Sequence, residues 1–98
     1  MRMSRVRQRW ADGKPALGTI AYFTDPASTE LISLLGFDCV WVDLEHQSTS
    51  VSEAAQMFRA ARVGQADVMA RPGKGVCMRV GRLLEAGAMG IIYPRCEL

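Results

Sequence analysis

Residues 37–46 read Phe-Asp-Cys-Val-Trp-Val-Asp-Leu-Glu-His. From Phe37 to Leu44 this is a strand with two apolar faces: Phe37, Cys39 and Trp41 on one, Val40, Val42 and Leu44 on the other. A strand apolar on both faces belongs in a parallel sheet covered by helices. The stretch then changes character, placing Asp43, Glu45 and His46 within four residues. Ionisable groups gathered at the end of a buried strand are costly to desolvate unless they are paired or used.

The pattern on either side repeats the same unit. Upstream, Arg5 to Ala11 reads as a leading helix, ended by Asp12-Gly13-Lys14-Pro15. Ala16 to Phe23 is rich in β-formers and reads as a first strand. Asp25 offers an N-cap with Pro26 at the first helical position. That helix carries Leu31, Leu34 and Leu35 at core spacing and ends at Gly36, a candidate left-handed cap. Downstream, Ser50-Val51-Ser52-Glu53 matches a capping box that opens a helix to about Val63, closed by Gly64. Asp67 to Ala70 is a short third strand, and Pro72 keeps Arg71 extended. A helix from about Val76 to Ala86 places Val76, Val80, Leu83 and Leu84 at helical spacing and ends at Gly87. Gly90 to Tyr93 is the fourth strand, stopped by Pro94. A leading helix followed by strands alternating with helices predicts a parallel α/β sheet with right-handed crossovers. Pattern alone leaves a small open sheet and half of a closed barrel equally open.

Composition sets the bounds. The chain has 98 residues, a formal net charge of +2 and 49% apolar residues, an ordinary globular mixture rather than a disordered tail. No apolar run approaches the roughly 18 residues that a membrane span needs. The small net charge offers no general argument for nucleic-acid binding. Cys39, Cys77 and Cys96 are far apart and odd in number, with no CxxC. That argues against a disulfide framework or zinc site and suits a reducing cytosol. The arginines of the first ten residues lack the apolar core of a signal peptide and read as a solvated amphipathic helix. The methionines and tryptophans are scattered and read as packing.

In parallel α/β folds, function collects at the carboxyl ends of the strands. Asp25 lies there but reads most simply as a helix cap. Asp43, Glu45 and the only histidine, His46, are the strongest candidates, because an imidazole beside a carboxylate is the usual form of a general base poised near neutral pH. Arg71 ends the third strand, where a guanidinium suits bidentate recognition of a carboxylate or enolate. A surface ion pair with a nearby acid is the alternative for Arg71. Gly73-Lys74-Gly75 before a helix suggests an anion nest but lacks Walker spacing. Glu85 sits at the end of a helix, where a carboxylate opposes the macrodipole.

These residues carry a resemblance. Gly36-Phe-Asp-Cys-Val-Trp-Val-Asp-Leu-Glu-His46, then Met69-Ala-Arg-Pro72, then Arg82-Leu-Leu-Glu-Ala-Gly-Ala-Met-Gly-Ile-Ile-Tyr-Pro94 are similar to the HpcH/HpaI aldolases, class II metal-dependent pyruvate aldolases. The likeness runs from about Trp10 to Glu97. It implies a (β/α)8 TIM barrel that makes or breaks the bond between pyruvate and an aldehyde. Residues 1–98 would form its first four strand-helix units, since a whole barrel takes roughly 250 residues. The resemblance makes His46 the catalytic base and Arg71 the substrate-binding residue that holds the pyruvate carboxyl and enolate. It makes Glu85 an acid that raises the basicity of His46, and Asp43 an acid beside it. It also implies a divalent ion, Mn²⁺, Mg²⁺ or Co²⁺, whose ligands are expected beyond Leu98. A small oxo-acid substrate, a homo-oligomer and a cytoplasmic setting without nucleic-acid or membrane partners complete the expectation. Residues 73–77 depart from the Trp-Asn-Asp-Pro version of some members, which bears on the aldehyde more than on the reaction. The alternative from a different class is a non-catalytic remnant or interaction module that pairs with another barrel subunit. A nucleotide-binding open sheet lacks its glycine fingerprint.

Overall fold

The structure is a computed structural model that describes residues 3–45, 49–73 and 77–94. His46, Lys74, Gly75, Val76 and Cys96 therefore lie outside the described residues. The elements run α1 (Arg5–Ala11), β1 (Gly18–Ala21), α2 (Pro26–Leu34), β2 (Cys39–Asp43), α3 (Val51–Ala61), β3 (Asp67–Arg71), α4 (Cys77–Ala86) and β4 (Gly90–Ile91). The strands form one parallel sheet in chain order, β1-β2-β3-β4. β1 is shorter than the sequence suggests, because Tyr22 and Phe23 have left the ladder and are exposed. β4 pairs with β3 alone, through Gly90 and Ile91, and ends before Ile92.

Register separates the two faces of the sheet. Val40 and Val42 of β2 and Val68 and Ala70 of β3 are buried in one core with Ala54, Met57, Phe58 and Ala61 of α3 and Leu83 of α4. The alternate residues Ile20, Trp41 and Met69 occupy matching positions on the opposite face and remain only half-buried. A sheet wound in simple order, helix-covered on one face and apolar on the other, has the geometry of a barrel wall.

Caps act where the sequence places them. Asp25 Oδ1 accepts from the Ala27 N–H at 3.0 Å, with Pro26 opening α2. The capping box is complete: Ser50 Oγ accepts from Glu53 N–H at 3.1 Å, and Glu53 Oε1 accepts from Ser50 N–H at 3.0 Å. Gly36, at φ 103°, supplies the left-handed turn after α2.

The α2 core face is a correction. Leu31, Leu34 and Leu35 are exposed, and the buried positions are Thr29 and Ser33, with Ile32 partly buried. Polarity explains the exchange. Ser33 Oγ donates to the Ala61 carbonyl at 2.6 Å and accepts from the Ala66 N–H at 3.1 Å. It thereby satisfies the end of α3 that bulky leucines would have to displace. Gly64 closes against it: a Cβ there would lie 2.4 Å from the Ser33 backbone. The freed leucines point away from this core.

Helix α1 is solvated on one face, as expected, and its other face is clamped. Asp67, at the start of β3, accepts from Ser4 Oγ at 2.6 Å, Arg5 N–H at 2.8 Å and Val6 N–H at 3.0 Å. Asp38 accepts from the Nε of Arg5 at 2.9 Å, the Nε of Arg9 at 3.0 Å and the Leu17 N–H at 2.9 Å. Two buried carboxylates thus fasten the basic helix to the amino ends of the strands. The Leu17 N–H, followed by the two guanidiniums, holds the Asp38 carboxyl down at about 2. A carboxyl lowered on folding stabilises the native state above its ordinary value of 3.8, and the contribution disappears as pH falls towards about 2. Discounted for the partly solvated arginines, it is about 1–2 kcal/mol. Asp38→Asn is expected to remove it, flattening the acid limb of a stability–pH curve between pH 4 and 2. An unchanged limb in urea titrations would show that Asp38 is not the acid lock.

Candidate functional site

The carboxyl ends of β2 and β3 meet in register, with Asp43 opposite Arg71. The ladder bond from Leu44 N–H to the Arg71 carbonyl, 2.9 Å, keeps these ends side by side. Asp43 is 2% exposed. Its Oδ1 accepts from Arg71 Nε at 3.1 Å and its Oδ2 from Arg71 Nη2 at 2.5 Å, a two-point fork. Asp43 Oδ1 also accepts from the Glu45 N–H at 2.8 Å, turning the chain as it leaves the strand. Glu45 Oε1 lies 3.6 Å from Arg71 Nε. The Asp43 bond pushes the Arg71 guanidinium further above its ordinary value, so it is a permanent cation. Beneath it is Trp41, with Arg71 Cζ 4.7 Å from the ring centroid.

Two of the expected site residues, Asp43 and Arg71, are therefore in contact. The ion-pair alternative for Arg71 is what the structure shows, and the residue stands at a strand end. His46 follows Glu45 directly in the chain but lies outside the described residues. Glu85 is not brought to this cluster. It is exposed in the last turn of α4, which runs back to the amino ends of the strands. There Leu84 and Gly87 border a groove of about 1280 Å³ shared with Trp10, Arg62 and Met89. This groove and the Asp43–Arg71 pair are at opposite ends of the sheet.

The contact of Trp41 with Arg71 was not read from the sequence, where Trp41 was counted with packing residues. Its signal was parity: Trp41 is two residues before Asp43 on the same strand face. Among the described residues no three His, Cys, Asp or Glu side chains gather to hold a metal ion. Both Asp43 oxygens are engaged by Arg71. The described residues do not by themselves fit a divalent ion.

A positively charged fork on a parallel-sheet carboxyl end, held by a buried acid, suits a planar carboxylate. Comparisons with known proteins bear on the fold that carries this arrangement. No protein-family model matches the chain. The hydroxypyruvate/pyruvate aldolase of Rhizorhabdus wittichii is 32% identical over 92 residues, covering 94% of this chain and 37% of that protein. The HpcH/HpaI aldolase structure from Desulfitobacterium hafniense superposes with a TM-score of 0.78 at 25% identity, covering 88% of this chain and 34% of that one. The chain is similar to hydroxypyruvate/pyruvate aldolases in sequence and to an HpcH/HpaI aldolase in fold. The citrate synthase SbnG structure has a TM-score of 0.84 at 27% identity, covering 93% of this chain and 37% of that one. The fold is thus a four-strand section of the TIM barrel, and the chain spans about a third of the length of the relatives it matches. The Asp43–Arg71 pair lies at the carboxyl end of that wall, where function collects in such folds.

Proposed function

We propose that this chain carries the oxo-acid-holding part of a pyruvate aldolase site. The observation that supports it best is the fixed guanidinium of Arg71 at the carboxyl end of β3, gripped at two points by buried Asp43. Arg71 binds the carboxylate of a 4-hydroxy-2-oxo acid and opposes the charge of the enolate that forms. His46, two residues beyond Leu44, takes the proton of the substrate 4-hydroxyl. The bond between C3 and C4 then breaks, C4 leaves as an aldehyde, and the electron pair remains as the pyruvate enolate. Protonation at C3 completes pyruvate. Asp43 positions Arg71 rather than exchanging protons itself, because both of its oxygens hold the fork.

The divalent ion expected from the family would supply Lewis-acid stabilisation of the enolate. Its ligands are residues other than those described.

The test is proton exchange at the pyruvate methyl group in D₂O, followed by mass spectrometry. The 98-residue chain is expected to bind pyruvate saturably and accelerate exchange, with His46→Gln abolishing the acceleration and leaving binding intact. Absence of saturable pyruvate binding would overturn the assignment of Arg71. Exchange unaffected by His46→Gln would overturn the assignment of the base.

A further inference from the structure

We propose that Trp41 is a positioning residue for Arg71 and sharpens the site for planar carboxylates; this rests on the reading of Arg71 as the carboxylate-holding cation. Trp41 stands opposite Met69 in the β2–β3 register, so Arg71, two residues further along β3, shares its face on the diagonal. Arg71 Cζ lies 4.7 Å from the indole centroid. Attraction between the guanidinium and the ring quadrupole favours that placement.

Asp43 alone does not fix the cation. A two-point contact along the Nε–Nη2 edge leaves the guanidinium plane free to pivot about that edge. A ring under the guanidinium removes the pivot. Asp43 on one edge and Trp41 beneath then leave the Nη1 edge without a partner among the described residues. A carboxylate accepting from Nη1 and the second Nη2 hydrogen lies in the guanidinium plane and extends over the indole. In a 2-oxo acid the C2 carbonyl can lie coplanar with that carboxylate. A 2-hydroxy acid instead has a tetrahedral C2, which drives a substituent out of the plane, towards or away from the ring. Trp41 therefore favours pyruvate over lactate through Arg71, with no bond to either.

The test pairs a structural readout with a binding readout on the 98-residue chain. The Arg71 Nε–Hε resonance is expected upfield from the indole ring current. That shift should vanish in Trp41→Met and persist in Trp41→Phe. Pyruvate affinity should fall about threefold to tenfold in Trp41→Met, as befits a partly exposed cation–π contact. Most of the pyruvate-over-lactate preference should fall with it, and Trp41→Phe should stay near wild type. Trp41 is half-buried on the open sheet face, so the methionine variant is expected to fold; Trp41→Leu provides a second ring-free chain. An Hε resonance unmoved in the ring-free variants overturns the stack. A lost shift with unchanged pyruvate affinity overturns the positioning role while Arg71 keeps its part. A wild-type chain with the shift intact but no pyruvate binding overturns the reading of Arg71, and the specificity role with it.

Discussion

Arg71→Met is expected to destabilise the chain by about 3 kcal/mol and to abolish measurable pyruvate binding. The reason is the depth of its partner. Asp43 is 2% exposed, and its two oxygens accept from Nε and Nη2 of the same guanidinium. Taking the cation away removes that carboxylate's two-point partner in a place that water barely reaches. Such losses run to about 3–5 kcal/mol, and the lower end applies because the Arg71 side chain is 21% exposed. The Leu44–Arg71 ladder bond uses the backbone and survives, so the effect isolates the side chain. Asp43→Asn combined with Arg71→Met should recover part of the stability, since a neutral amide needs no counter-charge. Urea midpoints of the single and double variants form the cycle. A wild-type midpoint for Arg71→Met would reduce the pair to a surface contact.

Gly64→Ala is expected to cost about 3 kcal/mol. The new Cβ would lie 2.4 Å from both the backbone carbon and the carbonyl oxygen of Ser33. Backbone cannot swing aside as a side-chain end can, so α2 must lift from α3. The lift would also strain the Ser33 bonds to Ala61 and Ala66, at 2.6 and 3.1 Å. Gly81→Ala is the matched control. Gly81 lies inside α4 with nothing within 4 Å of a built Cβ. The added methyl should stabilise α4 by about 0.5–1 kcal/mol through the lower entropy of the unfolded chain. Thermal melts of the two alanine variants should therefore move in opposite directions. Equal shifts would mean that the close approach of α2 to Gly64 does not hold in solution.

Much of this architecture was legible in local signals. Asp25-Pro26, the Ser50–Glu53 box and Gly36 act within a turn of themselves, so their chemistry is complete in a few residues. Strand β2 was legible because an apolar run on both faces has few other homes. The α2 core was not. Helical spacing nominated Leu31, Leu34 and Leu35, but spacing does not say which neighbour a helix meets. Here the neighbour was the end of α3, with polar backbone groups to satisfy, and Ser33 and Gly64 met that need. The clamp on the basic α1 was not legible for a similar reason: Asp38 and Asp67 lie 29 and 62 positions from their arginine and backbone partners at Arg9 and Arg5. Glu85 was marked by its awkward place on a helix. Only the parallel topology shows that this place lies at the other end of the sheet from Arg71.

By itself, the amino-acid sequence determined the order of elements, their caps, the parallel sheet and the residues with chemistry at the ends of β2 and β3. Those properties depend on near neighbours and on strand parity. Tertiary structure alone decided that Arg71 is held by Asp43 and seated over Trp41, that α1 is bolted beneath the strands, and that the α2 leucines face outward. Each of these is a pairing between residues distant in the chain, set by register and by how closely two backbones can approach.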